Sequence, residues 1–231
     1  MLKISGEAIA GDNTGGKGID PKFAKWLANE IKKVTATGVQ LGIIIGGGNI
    51  VRGSEIAGDG LETATGHYMG MMAGVINGLA LRDLIESTGQ SVRLMSTINV
   101  DRFAEQFVRR KAIDHMENGR VVLFVGGTSR PFVTHDTVAV GLGLEIDCDE
   151  VYKASQVDGV YDKDPNKFKD AKKYESLDYQ TVMSNPEIKV MDKAALGLAA
   201  EQGMPVTVFE LHKDDNILRA ISGENIGTRV S

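Results

Sequence analysis

The chain has 231 residues, 42% hydrophobic and 25% charged, which suits one folded α/β domain and excludes a disordered segment. Lys and Arg number 26 against 31 Asp and Glu, a net charge of −5, so there is no broad basic field for nucleic acid or an anionic membrane. The single cysteine, Cys148, excludes an intrachain disulfide and a Cys-based zinc cluster, and His67, His115, His135 and His212 have no metal-ligand spacing. With no basic-then-apolar leader, and no aliphatic run longer than the one at 41–45, a cytoplasmic protein is expected, with no protein-bound metal.

Taken in chain order, apolar runs at 2–5, 41–45, 92–96, 121–125, 150–154 and 206–210 predict strands. Segments of helical period at 21–36, 67–88, 101–117, 134–144, 191–202 and 213–222 predict helices between and after them. Asp20 is a suitable N-cap with Pro21 at the first helical position, and Phe23, Leu27, Ile31 and Val34 then recur on one face. Strands alternating with helices imply βαβ units and a mainly parallel sheet covered on both faces. The polar stretch 162–178 reads as an excursion of the same domain, because an apolar helix and strand follow it.

The 28 glycines gather at strand ends. The first strand runs into Lys3-Ile4-Ser5-Gly6, the second into Gly46-Gly47-Gly48-Asn49, and the fourth into Gly126-Gly127-Thr128-Ser129. In an open α/β sheet ligands bind beyond the carboxyl ends of the strands, and glycine there lets backbone N–H groups approach phosphate oxygens. One such cluster serves a tight turn equally well; three in register with a βα pattern point to an anionic ligand. Lys3, inside an apolar strand, reads either as a snorkelling edge lysine or as a cation for a transferring phosphoryl group. The stretch Gly11-Asp12-Asn13-Thr14-Gly15-Gly16-Lys17 nearly matches a P-loop, but Gly18 stands where the Mg²⁺-binding hydroxyl belongs. Asp136, Asp164 and Asp192 stand near predicted strand ends or helix starts, where caps and turns also use Asp.

Five segments in order carry a specific resemblance: Lys3-Ile4-Ser5-Gly6-Glu7, Ile45-Gly46-Gly47-Gly48-Asn49-Ile50-Val51-Arg52-Gly53, Met69-Gly70-Met71-Met72, Val157-Asp158-Gly159-Val160-Tyr161-Asp162-Lys163-Asp164-Pro165 and Lys189-Val190-Met191-Asp192. Together they resemble the bacterial uridylate (UMP) kinases of the amino acid kinase family, over essentially the whole chain. The resemblance implies a single domain over 1–231, a three-layer αβα sandwich with a mainly parallel central sheet. Its acceptor side lies mostly in the N-terminal half and its ATP side mostly in the C-terminal half. It implies transfer of the γ-phosphoryl group of ATP, bound with Mg²⁺, to UMP.

Carried over residue by residue, Lys3 would meet the transferring group, Asp192 would orient Lys3, and Asp136 would lie near the phosphoryl groups. Ser5, Gly6, Gly48, Arg52, Ser155, Tyr161 and Asp164 would join Lys3 in holding ATP. Gly47, His67 and the run Thr128, Ser129, Arg130, Pro131, Phe132, Val133, Thr134 and His135 would hold UMP. The family is typically hexameric, activated by GTP and inhibited by UTP; Arg82 and Arg93 match arginines of its GTP site, while a histidine of some relatives is Glu86 here.

The departures fall on the acceptor side. Many relatives have Asp where this chain has His67, and their loop usually reads Gly-Thr-Gly-Asn-Pro where this chain has Gly127-Thr128-Ser129-Arg130-Pro131, with His135 for Thr. Two other readings follow: a related small-molecule kinase with another phosphate or phosphonate acceptor, and a non-catalytic ATP and oxyanion storage protein. Only Met1-Leu2 precede Lys3, fewer residues than relatives carry, so either a short first strand or an internal start to the given sequence is expected. The run Met69, Met71, Met72, Val75, Ile76 and Leu79 is expected to pack in the core or at a subunit interface.

Overall fold

The computed structural model of the chain describes residues 1–10, 15–56, 58 and 60–231; the near P-loop lies partly outside them. The strands are β1 (Leu2–Ile4), β2 (Gly42–Ile45), β3 (Val92–Ser96), β4 (Glu105–Gln106), β5 (Val121–Val125), β6 (Val151–Ser155), β7 (Ser176–Leu177), β8 (Val206–Glu210) and β9 (Thr228–Val230). The helices are α1 (Gly6–Ala10), α2 (Pro21–Thr35), α3 (Gly53–Ile56), α4 (Thr63–Ser87), α5 (Arg109–Glu117), α6 (His135–Glu145), α7 (Tyr179–Ser184), α8 (Lys193–Gln202) and α9 (Asn216–Ile221). Close contacts group these residues into two units, one of Ile4–His135 and one of Met1–Lys3 with Asp136–Ser231.

In the Ile4–His135 unit the strand order is β4-β3-β5-β2, all parallel, with Ile43 opposite Leu123 and Leu94 opposite Leu123 on its other edge. β2 and β5 are buried at every position, which is why they read as continuous apolar runs rather than as alternation. α2 starts as its sequence predicts: the Asp20 carboxylate accepts from the N–H groups of Lys22 and Phe23 ahead of Pro21. α4 packs against α2, α3, β3 and β5. Its methionine run divides between two faces: Met71 and Val75 are buried, while Met69, Met72 and Ile76 are exposed.

In the other unit the order is β1-β6-β8-β9-β7. β1, β6 and β8 run parallel, with Lys3 opposite Lys153 and Lys153 opposite Val208; β9 pairs antiparallel with β8. Asp192 caps α8 through the N–H groups of Ala194 and Ala195, and Gly203 ends it in the left-handed region. The Met1 ammonium donates to the Glu150 carbonyl oxygen at 2.8 Å.

One predicted helix is corrected. The segment 101–117 is helical only from Arg109, because Glu105–Gln106 pairs with β3 as β4. Phe107, inside that predicted segment, donates its backbone N–H to the Ser96 carbonyl oxygen and sets its ring edge-on to Phe124 at 5.7 Å. Strands β4, β7 and β9 and helices α1, α3 and α7 have two to six residues each, too few to show a period.

Candidate active site

Two clusters collect most of the residues singled out from sequence, one in each unit. In the unit containing Met1–Lys3, the β1–β6 register sets Lys3 beside Lys153, and both side chains reach Asp136 in the first turn of α6. Lys3 Nζ lies 3.0 Å from Asp136 Oδ1, and Lys153 Nζ donates to Asp136 Oδ2 at 2.8 Å and to the Val190 carbonyl oxygen at 2.6 Å. Burial alone would raise the Asp136 carboxyl, but the two ammonium groups outweigh it and hold it below the ordinary aspartate value. Burial first, with the Lys3 charge adding to it and Asp136 opposing, draws Lys153 below its ordinary value.

The structure pairs Lys3 with Asp136. Asp192 accepts from Thr137 Oγ1 at 3.0 and 3.1 Å while capping α8, so it ties α8 to α6 next to that pair. Ser155, at the end of β6, accepts from the Val157 N–H. The Tyr161 hydroxyl donates to Asp158 Oδ1 at 2.6 Å, and this bond, with some burial, pushes it up to about 12. Asp164 accepts from the Asn166 N–H in a turn and lies 3.7 Å from Lys167. Lys153 had no role assigned from sequence. Its signal was a repeat: Lys3-Ile4-Ser5 and Lys153-Ala154-Ser155 place the same Lys-apolar-Ser pattern on the two strands.

In the Ile4–His135 unit the triple glycine forms a turn held by a buried amide pair. Asn77 donates to the Gly46 carbonyl and to Asn49 Oδ1, both at 2.7 Å, and Asn49 donates to Gly18 O at 2.5 Å. A Cβ on Gly47 would sit 2.6 Å from Gly70 O and Gly74 N, so only glycine lets α4 lie this close. A Cβ on Gly6 would be similarly pressed, 2.7 Å from Gly46 O and 2.8 Å from Gly48 N. Arg52 donates to Glu7 Oε1 from Nε at 3.0 Å and Nη2 at 2.7 Å, and reaches Glu55 at 3.2 Å. Burial would raise Glu7, but a backbone N–H, Arg52 and the Ser5 hydroxyl together hold it below its ordinary value.

A cavity of about 240 Å³ opens here, and it gathers Gly47, Gly48, Arg52, His67, Phe132, Val133, Thr134 and His135. Thr128, Ser129, Arg130 and Pro131 belong to the loop but not to the cavity wall, whereas Val51, Gly53, Gly70, Met71 and Gly127, quoted in the sequence segments but given no acceptor role, do line it. The loop is bent through positive φ at Gly126, Gly127, Ser129 and Phe132, the last two outside the range side chains prefer. Phe132 is 67% exposed and lies 5.0 Å from the His67 ring at 60°.

Among the described residues no group of three or more His, Cys, Asp or Glu converges as a metal site. The Asp136 carboxylate in this cluster is engaged by two lysines.

The Amino acid kinase family profile matches residues 1–210. Among solved structures, the UMP kinase from Bacillus anthracis superposes with a TM-score of 0.94 at 37% identity, covering 100% of this chain and 94% of that one. The UMP kinase from Ureaplasma parvum gives 0.92 at 31% identity, covering 100% and 97%. The uridylate kinase from Archaeoglobus fulgidus gives 0.75 at 23% identity, covering 100% and 98%, a likeness of fold. The fold class is α/β, a three-layer sandwich with a mainly parallel sheet.

Proposed function

The chain belongs to the amino acid kinase family, and on that footing we propose that it is an ATP-dependent UMP kinase, giving UDP and ADP. The observation that carries this is the end-to-end likeness to two UMP kinases at 37% and 31% identity. A lone pair on a UMP phosphate oxygen forms the new bond to the γ-phosphorus. The bond from that phosphorus to the β,γ-bridging oxygen breaks, and its electrons leave with ADP. Charge spread over the moving phosphoryl group has to be met by fixed cations, and Lys3, steadied by Asp136, supplies one. Lys3, Asp136 and Asp192 are the residues assigned to the chemical step. Mg²⁺, brought with ATP, would neutralise phosphate charge, with Ser5, Gly6, Gly48, Arg52, Ser155, Tyr161 and Asp164 holding the nucleotide.

The acceptor would enter the cavity of Gly47, His67 and the 128–135 loop. A phosphate arriving at Arg52 would compete with Glu7 for the guanidinium. The His67–Phe132 contact favours a second reading, a related kinase whose acceptor is another phosphate or phosphonate, because a ring pair fills space where a carboxylate would accept ribose hydroxyls. We further propose one kinase domain over 1–231, acting in pyrimidine biosynthesis in the cytoplasm. No helix among the described residues is long and apolar enough to cross a membrane. A homohexamer is supported by the exposed apolar face Tyr68, Met69, Met72 and Ile76 of α4. GTP or UTP control is supported by a cavity of about 420 Å³ that Arg82, Arg93 and Arg102 line together with Glu86.

The deciding assay is ADP release from ATP-Mg with UMP, CMP, dUMP and isopentenyl phosphate as acceptors. Selective turnover of UMP is the expected result. Intact ATP binding with turnover of another acceptor alone would move the function to the second reading.

A further inference from the structure

The pairing of β1 with β6 puts two lysines opposite each other on one face of two parallel strands, the arrangement like charges ordinarily avoid. They share one carboxylate. Lys3 takes Asp136 Oδ1 at 3.0 Å and Lys153 takes Oδ2 at 2.8 Å, and the three side chains are only 12%, 19% and 13% exposed. Two ammonium groups and one carboxylate leave these three side chains at +1 in a place with little water to screen them, while the Asp192 carboxylate is engaged by Thr137 and by the first N–H groups of α8. Lys153 has a second anchor, the Val190 carbonyl oxygen at 2.6 Å, in the segment that runs into Asp192. The charged groups that bear on Lys153 are Asp136 on α6, Lys3 on β1 and Asp192 ahead of α8.

A lone Lys3 beside Asp136 would be a neutral pair. The carboxylate could turn both oxygens to the ammonium and cancel the charge that a phosphoryl group needs. With Lys153 holding Oδ2, Asp136 meets Lys3 through Oδ1, and the three-donor Lys3 ammonium can serve another partner as well. We propose that Lys153 is a positioning residue for phosphoryl transfer: through Asp136 it fixes the Lys3 ammonium and keeps the cluster cationic. This rests on the reading of the chain as a kinase in which Lys3 meets the transferring group.

The test measures kcat and KM of full-length wild type, Lys153→Met, Lys153→Arg and the double variant Lys153→Met/Asp136→Asn, with each acceptor the wild type uses. Lys153→Met is expected to lower kcat at least about 30-fold, while KM for the acceptor changes less than about threefold, since the effect lies in the transition state. Lys153→Arg, which keeps the charge and can hold Oδ2, is expected to recover at least a third of that loss on a logarithmic scale. Should Lys153→Met fail to fold, Lys153→Arg and the double variant carry the test. The double variant regains +1 without the clamp, so it is expected to stay at least about tenfold slow. A folded Lys153→Met or double variant with kcat within threefold of wild type overturns the proposal, as does a loss confined to acceptor KM. Failure of the kinase reading itself is distinguished by the wild type, which would then transfer phosphate to no acceptor in the panel.

Discussion

In the unit that contains Asp136, three charged side chains are locked by contacts of 2.8 and 3.0 Å and are at most 19% exposed. In the unit that contains Gly47, the cavity is walled by glycine backbone, a loop with positive φ at Ser129 and Phe132, and a phenylalanine ring 67% exposed. The first region is fixed by side-chain charge, the second by backbone shape. Substitution in the charge cluster should therefore strike the rate, whereas substitution in the cavity should strike packing and acceptor choice. Lys3→Ala is the largest break expected. It removes the cation but leaves Asp136 paired with Lys153, so the fold should survive while kcat falls about 100- to 1000-fold or more. Steady-state kinetics beside a circular dichroism spectrum check it; a folded variant with near wild-type kcat would remove Lys3 from the chemistry.

Asp136→Asn probes the same cluster through stability. Two largely buried ammonium groups lose their shared partner, a change that costs about 3 kcal/mol at neutral pH. Because the two lysines hold the folded carboxyl below its ordinary value, its contribution is complete above the unfolded value of about 4 and is lost as pH falls through the lower folded value. Urea unfolding at pH 7 and pH 3 should show the gap between variant and wild type narrowing at the lower pH. An equal gap at both would mean that the carboxylate charge contributes nothing to the difference.

These two regions were unequally legible in the sequence. Strands 92–96, 121–125 and 206–210 match the observed bounds, and 121–125 is the unbroken apolar run that a parallel strand buried at every position leaves. β7 and β9 were not, because Ser176–Leu177 and Thr228–Val230 are ordered by pairing with each other and with β8, which no local pattern encodes. Gly47 was marked as a ligand-facing glycine, yet its contacts with Gly70 and Gly74 are packing contacts that only the placement of α4 reveals. Lys153 went unread for a related reason. A lysine in an apolar strand gains meaning only when strand register sets it beside Lys3.

Gly47→Ala tests the backbone side of the comparison. The added methyl would sit 2.6 Å from backbone atoms of α4, which have no rotamer by which to move away. Shifting the helix should cost about 1–3 kcal/mol and raise KM for the acceptor more than it lowers kcat. Thermal unfolding and kinetics together check this; an unchanged Tm would show that α4 yields freely, and the cavity would then not be shaped by that contact.

His67→Asp is the smallest change expected and the one that sharpens the acceptor question. It removes a tilted ring contact with Phe132, worth about 0.5–1.5 kcal/mol when buried and less on a ring this exposed. In return it places a carboxylate on the cavity wall, able to accept hydrogen bonds from a ribose. If UMP is the acceptor and His67 merely fills space, kcat/KM for UMP should rise about two- to tenfold, with dUMP, which lacks the 2′-hydroxyl, gaining less. If the ring pair selects an acceptor without a ribose, turnover of isopentenyl phosphate should fall instead while UMP hardly changes. The ratio of the two acceptors, measured in one preparation before and after the substitution, separates a cavity that tolerates UMP from one shaped for something else.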